Sequence, residues 1–291
     1  LVKKNLVTGL WKKVEDCPEI SGLQAHFIPW SYVHNDSSIS SPIRIVTDPS
    51  RMDIQGRSLN SVQAPGSGQL GSVRDVTMGI RVSQRLAQSD ISAFFPSYKL
   101  GPGDMSLRRL LILNIGLGDK EDLEEKDLVE VCQNHMGFGD TSAPNLANTG
   151  RILTAGLAAQ EQPGPLALQV YKSLTDMTYM DDVFATQQWG ADMQPLISAL
   201  EEAAALGGFS FKEWFLDGED KSTKLLGYTW LCLPDVLRLK LNLTVGIITR
   251  GIKVGTVLSP TNVEELVNSG FSQKNLLSVI AQTFDPLGLW S

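Results

Sequence analysis

The sequence predicts an α+β fold built of antiparallel strands and helices. Three observations carry this. Short apolar runs flank the pair Asp181-Asp182, with Leu174 to Met180 leading in and Val183 to Ala185 leading out, which reads as two strands joined by a tight hairpin. A second strand-like run, Leu86 to Phe95, carries a single acid, Asp90. Helix-period apolar positions recur over Asn145 to Gln160 and Asp192 to Leu206.

Composition narrows the class. Hydrophobic residues make up 42% and charged residues 20% of 291, which describes a globular chain with a substantial core and one large or two modest domains. No apolar run reaches the ~18 residues of a membrane span, so no membrane association is expected. Cys17, Cys132 and Cys232 lack metal-ligand spacing and read as free thiols of a reducing compartment. A net charge of −7 is unusual for a nucleic-acid binder, whose phosphate contacts need Lys and Arg; a local basic groove is compatible with it. The chain opens on Leu1 and not Met, which suggests a piece of a longer polyprotein.

In chain order, Leu1 to Lys13 carries Lys3, Lys4, Lys12 and Lys13 and reads as solvated surface. Ala25 to Val33 reads as a strand with Pro29 suited to an edge, and His26 and His34 as structural. Ile43 to Asp48 alternates as a strand with Arg44 on its polar face. Gly56 to Asn60 and residues 64–72 read as loop, and 70–88 as a helix using Val73, Val76, Met78, Ile80, Val82 and Leu86. Leu107 to Ile115 and Leu128 to His135 read as strands, with Lys120 to Lys126 a charged loop between them and His135 a loop or core residue. Gly137 and Gly139 can bring backbone close to a ligand before the Pro144 helix start, and that helix turns Leu146, Ile152, Leu153 and Leu157 inward. The helix over Asp192 to Leu206 buries Leu196, Ile197, Leu200 and Ala204 and ends at Gly207-Gly208. Phe209 to Trp214 reads as a strand and Ser272 to Phe284 as an amphipathic helix capped by Ser272.

The chemistry lies in the carboxylates. Adjacent acids repel unless a cation sits between them, and a hard divalent ion is the usual one. An ordinary acidic hairpin tip is the plain alternative. Tyr179-Met180-Asp181-Asp182 between apolar strands resembles the palm-domain motif of reverse transcriptases. Asp90, Ile91 and Phe95 resemble the same enzymes' first catalytic motif, an Asp followed by an apolar residue and, five positions on, an aromatic. Further stretches, Ile28-Pro29, Arg44 to Asp48, Ser58-Leu59-Asn60, Phe138-Gly139 to Pro144 and Phe284 to Leu289, resemble in order the Pol proteins of Bel/Pao-type LTR retrotransposons. Trp30 stands where those relatives usually have histidine, and Thr47-Asp48-Pro49-Ser50 replaces Phe-Asp-Ala-Ser.

The resemblance implies a right-hand polymerase: fingers over 1–85 with 97–135 partly fingers, a palm over 86–235 whose antiparallel sheet is backed by helices, and a truncated palm-to-thumb region over 236–291. It implies RNA-directed DNA polymerase activity on RNA and DNA template-primer with dNTPs. Asp90, Asp181, Asp182 and the Ile91 carbonyl would hold two Mg²⁺ ions, with Mn²⁺ an alternative. One ion would lower the pKa of the primer 3′-hydroxyl and the other neutralise the departing pyrophosphate. Arg44, Phe95, Phe138 and Gly139 would meet the nucleotide. Tyr179, Met180, Gly227 and Tyr228 would meet primer and template. Gly207 to Trp214 resembles the family's Gly-Gly-Phe-X-Leu-X-Lys-Trp, in which Lys212 would be a proton donor, but it stands one residue off that spacing, which favours a surface lysine. Lys224 to Trp230 resembles the hairpin that supports the primer end. The implied location is a cytoplasmic retrotransposon particle, or the nucleus. Two rivals remain: a palm that binds nucleic acid or protein without polymerising, and an RNA-copying RNA polymerase, which usually carries Gly-Asp-Asp.

Overall fold

The computed structural model describes residues 1–34, 43–68, 70–113, 127–161, 164–239, 244–249 and 252–257. α1 (Val2–Val7) and β1 (Trp11–Lys13) open the chain, followed by β2 (Trp30–His34), β3 (Ile43–Thr47), α2 (Leu59–Val62) and α3 (Val73–Val82). Next come β4 (Arg85–Ser92), α4 (Pro102–Ser106), β5 (Arg109–Leu113) and β6 (Leu128–Gln133). α5 (Ala143–Glu161) and α6 (Pro165–Thr175) lead into β7 (Thr178–Tyr179), β8 (Asp182–Gln187), α7 (Gln194–Leu206) and β9 (Ser210–Phe211). Six short strands follow: β10 (Phe215–Leu216), β11 (Ser222–Leu225), β12 (Tyr228–Leu231), β13 (Val236–Leu239), β14 (Thr244–Thr249) and β15 (Ile252–Val257). The loop read over Lys120 to Lys126, the helix read over Ser272 to Phe284 and the stretch Phe284 to Leu289 lie outside the described residues. The ladders between these strands are antiparallel, as the hairpin pattern predicts.

Two compact units divide the chain. The first comprises Leu1–Gly71, Asp90–Val183 and Gln194–Lys212. The order β1-β6-β5 forms one of its sheets, and Trp11, Ile28, Leu59, Leu110, Ile112 and Val131 are buried together there. The opening segment is therefore more than solvated surface: its lysines are outside, but Trp11 is core. The strand expected over Ala25 to Val33 starts later, at Trp30, because Pro29 has no N–H for a ladder and Phe27 makes only an isolated bridge to Arg109. Gly56 to Asn60 is not all loop. Ser58 caps α2 reciprocally with Ser61, which turns Leu59 into the core. Cys17 and Cys132 are buried free thiols with sulfurs 4.0 Å apart.

α5, α6 and α7 pack against one another in this unit. α5 overturns its expected face. Leu146, Leu153 and Leu157 are exposed, while Ala143, Ala147, Asn148, Arg151, Thr154, Ala155 and Ala158 are buried. Small residues let helix backbones approach closely, so closeness decided this face and hydrophobicity did not. α6 has no counterpart in the sequence reading, which ran Leu174 to Met180 as a strand lead-in. Leu174 instead ends α6, and the strand shrinks to Thr178–Tyr179. α7 buries Leu196, Ile197, Leu200 and Ala204 as expected, and Gly208 takes the left-handed conformation (φ 74°) at its end.

The second unit comprises Ser72–Ser89, Phe184–Met193 and Glu213–Ser291. Here the helix read over 70–88 is cut short: α3 stops at Val82 and Leu86 lies in β4. Met78 and Val82 are exposed, because only Val76, Thr77 and Ile80 face inward. Arg85 donates to Asp217 at 2.7 Å, and the Leu86 N–H to the same carboxylate at 3.2 Å, which pins the start of β4. Phe209 to Trp214 is not one strand but β9 alone, with β10 beginning only after Trp214. β11, β12 and β13 form a meander with Tyr228 and Trp230 buried, and Trp230 Nε1 donates to Asp235 at 2.8 Å.

Candidate active site

Asp90 sits in β4 and is half-buried. β7 and β8 pair Tyr179 with Asp182, leaving Met180 and Asp181 as a two-residue turn. Met180 takes φ 55°, a left-handed conformation that a side chain rarely adopts. Ala93, just past Asp90, is likewise at φ 49°. Strain of this kind costs of order 1–3 kcal/mol and tends to collect where function demands a fixed geometry.

The two segments meet through backbone. The Ile91 N–H donates to the Asp181 carbonyl at 2.7 Å. The Asp181 carboxyl is raised above the usual carboxylate range by the protein crowding it and further by the Asp90 charge, against a smaller opposing pull from Lys212. The charge of Asp90 thus reaches Asp181. Asp182 lies half-buried at the start of β8. Among the described residues no group of three or more His, Cys, Asp or Glu side chains is gathered as a metal cage. The donors at hand are all oxygens, a set suited to a hard divalent cation, and two like charges side by side favour one.

Lys212 joins this pair. Its backbone N–H donates to the Asp90 carbonyl at 2.9 Å, and its Nζ to Asp90 Oδ2 at 2.7 Å. The register of β9 on β4, Phe211 opposite Ile91, places it there despite its offset in the motif.

Phe94 and Phe95 do not continue the strand expected over Leu86 to Phe95, which ends at Ser92. Ala93 and Phe94 turn the chain, and Phe95 begins a short 3₁₀ turn to Ser97. Phe94 is nonetheless buried and Phe95 half-exposed, its ring edge-on to the exposed ring of Phe138 at 5.4 Å. Tyr98 anchors this turn on α5: its hydroxyl donates to the Ala147 carbonyl at 2.9 Å, and its ring stands where a Cβ on Gly150 would be. Burial pushes the Tyr98 phenol up to about 12 and the neighbouring, deeply buried Arg151 down to about 10.

Gly139, at φ 96°, approaches protein and not open space. A Cβ there would lie 3.1 Å from Pro49 and 3.3 Å from the Thr47 carbonyl. Asn60 ties the turn down, donating to the Gly139 carbonyl at 2.9 Å and accepting from the Thr141 N–H at 2.9 Å, while Thr47 donates to the Phe138 carbonyl at 3.2 Å. Asn60 is a positioning residue that sequence reasoning missed, although it lies in the Ser58-Leu59-Asn60 stretch already singled out. Arg44 is exposed on β3 opposite Val33. Gly227 and Tyr228 belong to the second unit, where Leu226 (φ 45°) and Gly227 (φ 94°) turn β11 into β12.

No family model matches the chain, and no curated protein matches it. Among solved structures it is similar to the foamy viral protease-reverse transcriptase dRH in complex with ds DNA, at 13% identity and a TM-score of 0.53, over 95% of this chain and 37% of that one. Two further structures align at TM-scores of 0.48 and 0.47: the foamy viral protease-reverse transcriptase in complex with RNA/DNA hybrid and the native Prototype Foamy Virus Protease-Reverse Transcriptase. They share 13% and 14% identity, over 96% and 97% of this chain and 29% and 33% of theirs. This chain thus spans about a third of their length, and its fold is reverse transcriptase-like.

Proposed function

We propose that this chain is the fingers and palm of an RNA-directed DNA polymerase of the Bel/Pao LTR-retrotransposon type, within a larger Pol polyprotein. The observation that carries the reading is the hairpin of β7 and β8, which holds Asp181 against Ile91 and within the field of Asp90. On this reading residues 1–85, with part of 97–135, are fingers, 86–235 palm and 236–291 the approach to the thumb. Asp90, Asp181, Asp182 and the Ile91 carbonyl would hold Mg²⁺ or Mn²⁺, which supplies activation of a primer 3′-hydroxyl and neutralisation of triphosphate charge. Phe95 and Phe138 would offer two rings edge-on for the sugar and base of a dNTP, and Gly139 would shape the turn that carries Phe138. Arg44 offers a guanidinium for phosphate. Tyr179, Met180, Gly227 and Tyr228 would line primer and template. The setting would be a cytoplasmic particle or the nucleus.

The rival is a palm that binds nucleic acid or protein without polymerising, and the net charge of −7 with the departures at Trp30 and Pro49 favours it. Primer extension on an RNA template with dNTPs and Mg²⁺ separates the two. Extension supports the polymerase; a stable complex with the template-primer and no extension supports the rival.

A further inference from the structure

We propose that Lys212 is a built-in counter-ion of Asp90 that a divalent cation must displace, so that it sets how tightly the site takes metal. This rests on the polymerase reading. The ammonium donates to Asp90 Oδ2 at 2.7 Å and withdraws that oxygen from any donor set. Its reach is fixed by backbone as well as side chain, since the Lys212 N–H is bonded to the Asp90 carbonyl one pairing step beyond Ile91 and Phe211. Its charge is also felt at Asp181, where it opposes the crowding and the Asp90 carboxylate. A single cation therefore acts on two of the acids that the reading assigns to metal. A divalent ion arriving there meets a like charge and an oxygen already engaged. Both side chains are partly open to water, 55% and 38% exposed, so the ammonium can swing away without unfolding β9.

The two effects act in the same direction: removing the charge frees Oδ2 and removes repulsion. Mn²⁺ is the probe, its binding followed by electron paramagnetic resonance on the full chain without nucleotide or template. Lys212→Met is expected to bind Mn²⁺ about fivefold more tightly than the parent, the scale of an exposed ion pair near its upper limit. Lys212→Arg keeps the cation and is expected to bind as the parent does, whereas a merely structural role for the lysine stem would leave Lys212→Met, which keeps that stem, binding as the parent does too. Asp90→Asn is expected to lose binding. If Asp90→Asn loses it while Lys212→Met binds no more tightly than the parent, the counter-ion role is overturned and the metal site stands. If neither the parent nor Lys212→Met binds Mn²⁺, the metal-site reading and the proposal fall together.

Discussion

Ile91 donates its backbone N–H to the carbonyl of Asp181 at 2.7 Å, tying β4 to the tip of the β7–β8 hairpin. The bond uses no side chain, so it places Asp181 relative to Asp90 whatever the acids themselves do. What the side chains add is charge: Asp90 raises the Asp181 carboxyl, and Lys212 answers both. The consequences below follow from the surroundings of that joint.

Phe94 and Phe95 are adjacent but have different fates. Phe94 is buried against Tyr98, ring centroids 6.1 Å apart, and Phe95 faces Phe138. Phe94→Ala is expected to lower stability by ~3–5 kcal/mol, seen as a lower urea midpoint. Phe95→Ala should leave stability much closer to the parent's and let ribonucleotides be incorporated more readily, because a bulky ring excludes a 2′-hydroxyl sterically. Unchanged sugar discrimination in an active Phe95→Ala enzyme removes the gate from the account.

Gly139→Ala meets two obstacles at once, a left-handed backbone and the Pro49 ring 3.1 Å from the new methyl. A loss of ~1–3 kcal/mol is expected, read by denaturant unfolding. A variant as stable as its parent would mean that the Asn60–Gly139 clamp does not hold this turn.

His135 has its imidazole pKa lowered from 6.5 by burial and by the nearby Lys99. The folded chain thus favours the neutral ring, and the unfolded chain binds the extra proton first. Stability should be full above about pH 6.5 and fall as pH drops from there through the depressed folded value. Urea midpoints at pH 7.5 and 5.5 should differ by less in His135→Asn than in the parent; an equal difference would assign the acid sensitivity elsewhere.

Much of this was legible in the sequence because strand-turn-strand punctuation is local. The Asp181 hairpin, the Asp90 strand and α7 with its inward leucines all come from neighbouring residues alone. α5 was placed but faced wrongly, since its packing runs through Ala147, Ala155 and Ala158 and a buried Arg151, and apolar periodicity points to Leu146, Leu153 and Leu157 instead. α6 was missed because Leu174, Met177 and Met180 read as one lead-in to the hairpin, whereas Thr175 and Asp176 end a helix between them. The role of Asn60 could not be read at all: its partners on the Gly139 turn are distant in sequence, and nothing local marks such a bond. Lys212 was placed one residue off because motif spacing takes no account of the strand register that sets it opposite Asp90.

The central claim is that Asp181 and Asp90 form one catalytic centre, and the most direct measurement is Mg²⁺-dependent primer extension by the parent, Asp181→Asn and Asp90→Asn. Asp181 lies in a two-residue turn and its replacement by Asn is isosteric, so the variant should fold normally, which a thermal melt verifies. The account predicts extension by the parent, and loss of it in both variants at unchanged melting temperature. Extension that survives Asp181→Asn, or a folded parent that extends no primer, would contradict it.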